Sequence, residues 1–195
     1  MFGQKARIEK YLRKNPQVKT IVVVGSYGRK SAIRALGMIL GQQFVVTMGV
    51  NKEVDADVVI LDYKSSAEFP EIEPDMVIIT SCRTDEEAQR FFAVANIARR
   101  VMINFNDVPQ EFAKYLKNPN IFTYGDELPA DFYFENSNFT LEGYEGDFID
   151  EERDRLHVKI KILGEHNIRP IIMACAVGKQ FQIPKEKLIA GTDSI

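Results

Sequence analysis

The stretch TIVVVGSYGRKSAIRAL, residues 20–36, decides how this chain folds. Its first part is a β-branched run that stops at Gly25, the pattern of a strand buried on both faces of a parallel sheet. Its last part continues as SAIRALGMIL, residues 31–40, with helical periodicity. Between them, Gly25 and Gly28 allow a tight turn whose N–H groups can face an anion ahead of a helix N-terminus. Arg29 and Lys30 bring positive charge to that turn, Ser26 and Ser31 bring hydroxyls, and Tyr27 lies between the glycines. The Walker A spacing GxxxxGK[ST] is not met, because Arg29 precedes Lys30 where that pattern has glycine. A phosphate-binding loop and an ordinary strand-to-helix turn both fit. The place after the first strand and the basic pair favour the loop.

Working outward, residues 5–14 carry Ile8, Tyr11 and Leu12 at helical spacing and predict a short amphipathic helix. FVVTM (44–48), DVVILD (57–62), MVIIT (76–80), RVMIN (100–104) and NIFTY (120–124) are short, nearly all-apolar strand candidates. Helices are expected at 85–99 and 109–116. This alternation predicts an α/β fold, a mainly parallel sheet flanked by helices. From 131 to 162 the pattern changes. FYF, NFTLEGY and LHVKIKI alternate and are partly polar, which predicts an extension of antiparallel strands at the sheet edge. Helices are expected at 168–178 and 185–190. With no repeat, low-complexity tract or linker, residues 1–195 read as a single domain.

Composition narrows the function classes. Of 195 residues, 45% are hydrophobic and 27% charged, which suits a packed core and not a disordered chain. No apolar run approaches the roughly 20 residues of a membrane span, and no apolar stretch follows the basic N-terminus, so neither span nor signal peptide is predicted. Cys82 and Cys175 lie far apart and outside CxxC spacing, which argues against a disulfide framework or zinc site and for a reducing cytoplasm. The 2 histidines, His157 and His166, are too few for a His-rich metal cluster. No Ser-His-Asp or Cys-His arrangement stands out, so no catalytic residue is assigned. The net charge of −3 hides an asymmetry: residues 1–34 hold nine Lys or Arg against one acid, and residues 126–155 hold eleven acids against two arginines. A basic segment beside a glycine turn suits a polyphosphate. Nucleic acid is disfavoured, because aromatic and basic residues do not interleave.

Three further places are candidates. VVILD ends in Asp62, an acid at the C-terminal edge of a buried strand, where a nucleotide-bound Mg²⁺ could be held; an aspartate that merely opens a loop fits equally. INFND (103–107) ends a strand with Asn104, Asn106 and Asp107, and Asp107 reads as an N-cap before Pro109. LGEHNIRP (163–170) puts Gly164, His166 and Asn167 before an apolar helix, with Asn167 reading as its N-cap. His157, on an alternating strand, reads as structural or surface.

Taken in order, these pieces resemble the ATP-binding central domain of the Mur ligase family over about residues 19–189. Members of that family join an amino acid or dipeptide to a UDP-muramoyl precursor of peptidoglycan through an acyl phosphate. GSYGRKS resembles the family's phosphate loop, G-T/S-x-G-K-T/S-T/S. VVILD resembles its acid-ended strand, INFND its N-x-D-D, and GEHN its G-R-H-N. The likeness is nearest to the branch that adds D-alanyl-D-alanine. It implies a P-loop-like fold with ATP and Mg²⁺ as cofactors. Gly25, Ser26, Tyr27, Gly28, Arg29, Lys30, Ser31 and Asn104 would surround the nucleotide, with His166 and Asn167 near the adenine. Asp62 and Ser31 would approach Mg²⁺.

Departures from the family pattern bear on activity. In one register Arg29 takes the place of the loop lysine and Lys30 that of the Mg²⁺-binding hydroxyl; with one residue inserted, Lys30 and Ser31 supply the pair. Asp62 is one methylene shorter than the family's glutamate. SCRTDEEAQ (81–89) lacks the family's metal-binding histidine, and Pro170 falls near its second asparagine. The interval from loop to Asp62 is shortened. The family's N-terminal UDP-sugar domain and its C-terminal domain have no counterpart in these residues. The resemblance therefore implies a cytoplasmic nucleotide-binding domain that is not a competent ligase alone. The alternatives are a catalytic subunit completed by a partner protein, acting as an ATP-dependent acid–amino acid ligase, or a non-catalytic scaffold or regulatory pseudoenzyme that has lost ATP.

Overall fold

A computed structural model describes residues 2–63, 69–161 and 167–194. The element order is α1 (Phe2–Lys14), β1 (Lys19–Val24), α2 (Arg29–Leu40), β2 (Val46–Met48), β3 (Val58–Asp62), β4 (Met76–Ile79), α3 (Asp85–Ala95) and β5 (Val101–Asn104). A 3₁₀ helix (Gln110–Tyr115) follows, then β6 (Ile121–Tyr124), β7 (Tyr133–Thr140), β8 (Gly143–Ile149), β9 (Arg155–Ile160), α4 (Ile168–Gln180) and α5 (Lys185–Asp193). The strands β1–β6 form one parallel sheet in the order β2-β3-β1-β4-β5-β6.

Side chains alternate across each strand, so the all-apolar runs feed two cores at once. Ile21 and Val23 of β1 enter a cluster with α2, α4 and α5 on one face. Val22 and Val24 enter a second cluster with Tyr11 of α1, α3 and the 3₁₀ helix on the other face. β3 and β4 divide in the same way, with Val58, Ile60, Met76 and Ile78 on the first face and Val59, Leu61, Val77 and Ile79 on the second.

Residues 133–160 form antiparallel strands, as their alternation predicts, but they pair with one another in the order β7-β8-β9 as a sheet of their own. Among the described residues an isolated bridge, Tyr124 to Phe132, joins the residue preceding β7 to the end of β6. NFTLEGY is not one strand: it straddles a hairpin, with Thr140 paired to Gly143 across Leu141 and Glu142. The inward residues Phe134, Phe148, Leu156, Val158 and Ile160 join the same cluster as α2 and α4, so this small sheet covers part of the first face. No described helix is long and apolar enough to cross a membrane.

Candidate functional site

From β1 the chain turns into α2 and reaches β2 and β3 on one side, while β4 lies on the other side of β1. The C-terminal edge of β1 is therefore a switch point, the place where open α/β sheets form a ligand crevice. The loop 25–31 sits there. Gly25 approaches the end of β4 so closely that a Cβ would lie 2.1 Å from Thr80 Oγ1. Gly28 takes φ 81° at the N-cap position of α2, a left-handed conformation that glycine adopts without strain.

The loop rests on Thr80 and Ser81. The Thr80 hydroxyl donates to the Tyr27 carbonyl at 2.6 Å. The Tyr27 N–H donates to Ser81 Oγ at 2.8 Å, and the Ser26 N–H to the Ser81 carbonyl at 3.3 Å. Two of the N–H groups expected to face phosphate thus point into the protein. Those that remain belong to Gly28 and the first turn of α2, a helix start whose leading N–H groups have no partner within the helix. Lys30 and Ser31 are exposed there and Arg29 is half-buried.

Side chains from three elements tie the loop down. The Ser26 hydroxyl donates to Glu87 Oε2 at 2.7 Å, and the Arg83 N–H to the same oxygen at 3.0 Å. Burial pushes the Glu87 carboxyl up, but the hydrogen bonds from Ser26, Arg83 and Thr84 outweigh it and hold the group below its usual range. The Tyr27 hydroxyl donates to Asp107 Oδ1 at 2.9 Å, beneath the Arg83 guanidinium 4.6 Å from the ring. Partial burial, then the hydrogen bond to Asp107, raises that phenol. The other oxygen of Asp107 accepts from Arg169 Nη1 at 2.8 Å, and Arg169 forks onto Asp126 at 2.8 and 2.5 Å. A continuous polar chain therefore runs from the loop to the first turn of α4.

This geometry reassigns several candidates. Asp107 does not cap the 3₁₀ helix, whose N-cap position is Pro109; it joins Tyr27 to Arg169. Asn104 is buried, and its amide is fully engaged within the protein: it donates to the Thr80 carbonyl and Asp107 and accepts from the N–H groups of Asn106 and Asp107. That leaves it nothing for a nucleotide. Asn167 stands at the N-cap position of α4 without a side-chain cap bond. His166 and Gly164 lie outside the described residues. Thr80, Ser81, Glu87 and Arg169 carry no motif that would have marked them; only their positions at strand ends and helix starts bring them here.

Asp62 and Arg29 are found together. Arg29 Nε donates to Asp62 Oδ1 at 2.7 Å, and Arg29 Nη1 donates to the Gly25 carbonyl. The residues present do not fit Mg²⁺. A dication on the Asp62 carboxylate would meet a guanidinium already bound to it, and unit charges 4 Å apart near a protein surface interact by about 4 kcal/mol. Lys30, adjacent to Ser31, adds further repulsion. Among the described residues the one grouping of three metal-type ligands, Asp150, Glu152 and Asp154, lies elsewhere, with Lys179 on its first two members at 2.5 and 3.2 Å.

Comparison with known proteins gives this architecture its relatives. MurF from Acinetobacter baumannii superposes with a TM-score of 0.81 at 13% identity, over 98% of this chain and 49% of that one. A UDP-N-acetylmuramoyl-L-alanyl-D-glutamate–2,6-diaminopimelate ligase superposes at 0.76 with 17% identity, over 96% and 49%. An FPGS–AMPPCP complex superposes at 0.73 with 14% identity, over 97% and 67%. At these identities the likeness is one of fold. The chain spans about half the length of the Mur ligase structures it matches. No curated protein matches it in sequence. A family model does, the Mur ligase middle domain, over residues 72–178; the chain belongs to the Mur ligase middle domain family.

Proposed function

We propose that the chain is a nucleotide-binding Mur-type domain whose phosphate site is the start of α2. The observation that carries this is the first turn of that helix. Arg29, paired with Asp62, and exposed Lys30 stand at the positive end of the helix dipole with no acid in the turn itself. The charge of Lys30, unpaired among the described residues, disfavours an isolated helix there by about 0.3–1 kcal/mol, and an anion relieves it. The AMPPCP complex of a structural relative supports a nucleoside triphosphate or diphosphate as that anion. A place nearest the D-alanyl-D-alanine-adding branch rests on the motifs GSYGRKS, VVILD, INFND and GEHN, and a D-alanyl-D-alanyl ligase from Acinetobacter baumannii shares the fold at a TM-score of 0.79. Both cysteines are free and buried, in keeping with a reducing cytoplasm.

Ligation through an acyl phosphate needs two substrates aligned and water excluded. We read this domain as one wall of such a site, requiring further surfaces, from a partner protein or additional domains, to form product. The second reading, a non-catalytic descendant without nucleotide, is favoured by the Arg29–Asp62 pair, which closes the loop on itself. Calorimetric titration with ATP and ADP separates the two. Binding is expected, and Lys30→Ala should weaken it by less than about 1 kcal/mol, a loss that shrinks as salt rises. Absence of binding would leave the scaffold reading standing. Given ATP, a UDP-muramoyl peptide and D-alanyl-D-alanine, the chain alone should release no ligated product.

A further inference from the structure

We infer that this site takes its nucleotide phosphates without Mg²⁺, the Arg29 guanidinium standing in for the metal as a fixed cation; the inference rests on the nucleotide reading above. Asp62 and Arg29 lie 2.7 Å apart, with 28% and 23% of their side chains exposed, at the open edge where β3 ends and α2 begins. The second anchor, from Nη1 to the Gly25 carbonyl, fixes the plane of the guanidinium at the mouth of the loop. A guanidinium has five N–H donors. Nε–H and one Nη1–H are engaged, and three remain to fork onto phosphate oxygens, a geometry that suits arginine better than lysine.

The charge balance points the same way. A carboxylate and a hydroxyl beside the loop would hold a divalent ion against the phosphates. Here the carboxylate is neutralised, and Lys30 and exposed Ser31 follow Arg29 in the first turn. With Asp62 paired to Arg29, Lys30 leaves the loop net positive without any metal. The ligand class is a metal-free nucleoside diphosphate or triphosphate.

The test is titration of the unaltered chain with ADP and ATP in EDTA and in excess Mg²⁺, so it does not depend on any variant folding. Affinities in the two buffers should agree within about threefold. Asp62→Asn removes the carboxylate that competes with phosphate for Arg29, and it should bind ADP in EDTA as tightly as the parent or more so. Arg29→Ala should lose about tenfold in EDTA. Binding that requires Mg²⁺, or a loss of about tenfold or more in Asp62→Asn, overturns the inference while leaving nucleotide binding intact. No binding in either buffer overturns the nucleotide reading itself.

Discussion

At Gly25 a Cβ would lie 2.1 Å from the Thr80 hydroxyl and 3.1 Å from the Ser81 nitrogen, on a backbone with φ 149°. At Gly28 the same atom would meet only Thr80 at 3.6 Å, an ordinary contact, although φ is 81°. The two loop glycines therefore serve different ends: one admits a neighbouring strand end and the other permits a left-handed turn. Gly25→Ala combines strain with a clash against a fixed strand and should cost about 2–4 kcal/mol. Gly28→Ala should cost only about 1–2 kcal/mol, the price of the left-handed conformation. Urea unfolding of both variants checks the order. Equal losses would show that the loop can shift away from Thr80. Both glycines were legible in the sequence as turn formers, but the neighbour that makes Gly25 obligatory was not, because Thr80 is far along the chain.

The strands β8 and β9 carry a charged ladder on their exposed face. His157 lies 2.9 Å from Asp147 and 2.8 Å from Glu145, with Arg155 and Lys159 beside it on β9 and Glu135 across on β7. The hydrogen bond to Asp147, then that to Glu145, raises the His157 pKa above its ordinary 6.5. The resulting stability is complete below 6.5 and is lost as pH rises through the raised value. Asp147 is held low chiefly by Asn136 and then His157, and Glu145 chiefly by His157 and then Lys159. Their contributions are present above the ordinary 3.8 and 4.5 and fade as pH falls. The ladder thus contributes most between 4.5 and 6.5. The urea midpoint should fall between about pH 6 and about pH 8, and His157→Gln should flatten that change. An unaltered slope in the variant would assign it to other groups. Alternation alone marked His157 as a strand residue, structural or at the surface; its two acidic partners depend on the β8–β9 register.

Across the whole molecule, the small sheet and the large one share a core. Phe148 is 2% exposed, stacks on Phe132 at 6.0 Å and meets Phe134 edge-on, and all three belong to the cluster that includes α2 and α4. Phe148→Ala should cost about 3–5 kcal/mol. Because the cavity would open in a core common to both sheets, far-UV circular dichroism and tyrosine signals should shift together in a single transition. Separate transitions would make β7–β9 an independent unit.

The apolar runs and the helical stretches after the first, fourth and fifth of them determined, without reference to any contact, that residues 19–124 form a mainly parallel sheet flanked by helices. A strand buried on both faces needs apolar residues at nearly every position, and that need is visible locally. The place of the glycine turn was visible for the same reason, since a glycine turn between strand and helix is a short-range signal. Strand order, and with it every side-chain pair in the site, came only from the tertiary structure. Arg29 meets Asp62 because β3 lies beside β1; Ser26 meets Glu87 because β4 delivers α3 to the other side. Residues 133–160 close into their own sheet because their inward aromatics bury against α2 and α4, while the alternating pattern alone leaves the choice of partner strand open. Local periodicity specifies which face of an element is apolar; the packing of elements decides what that face, and each charge at its end, will touch.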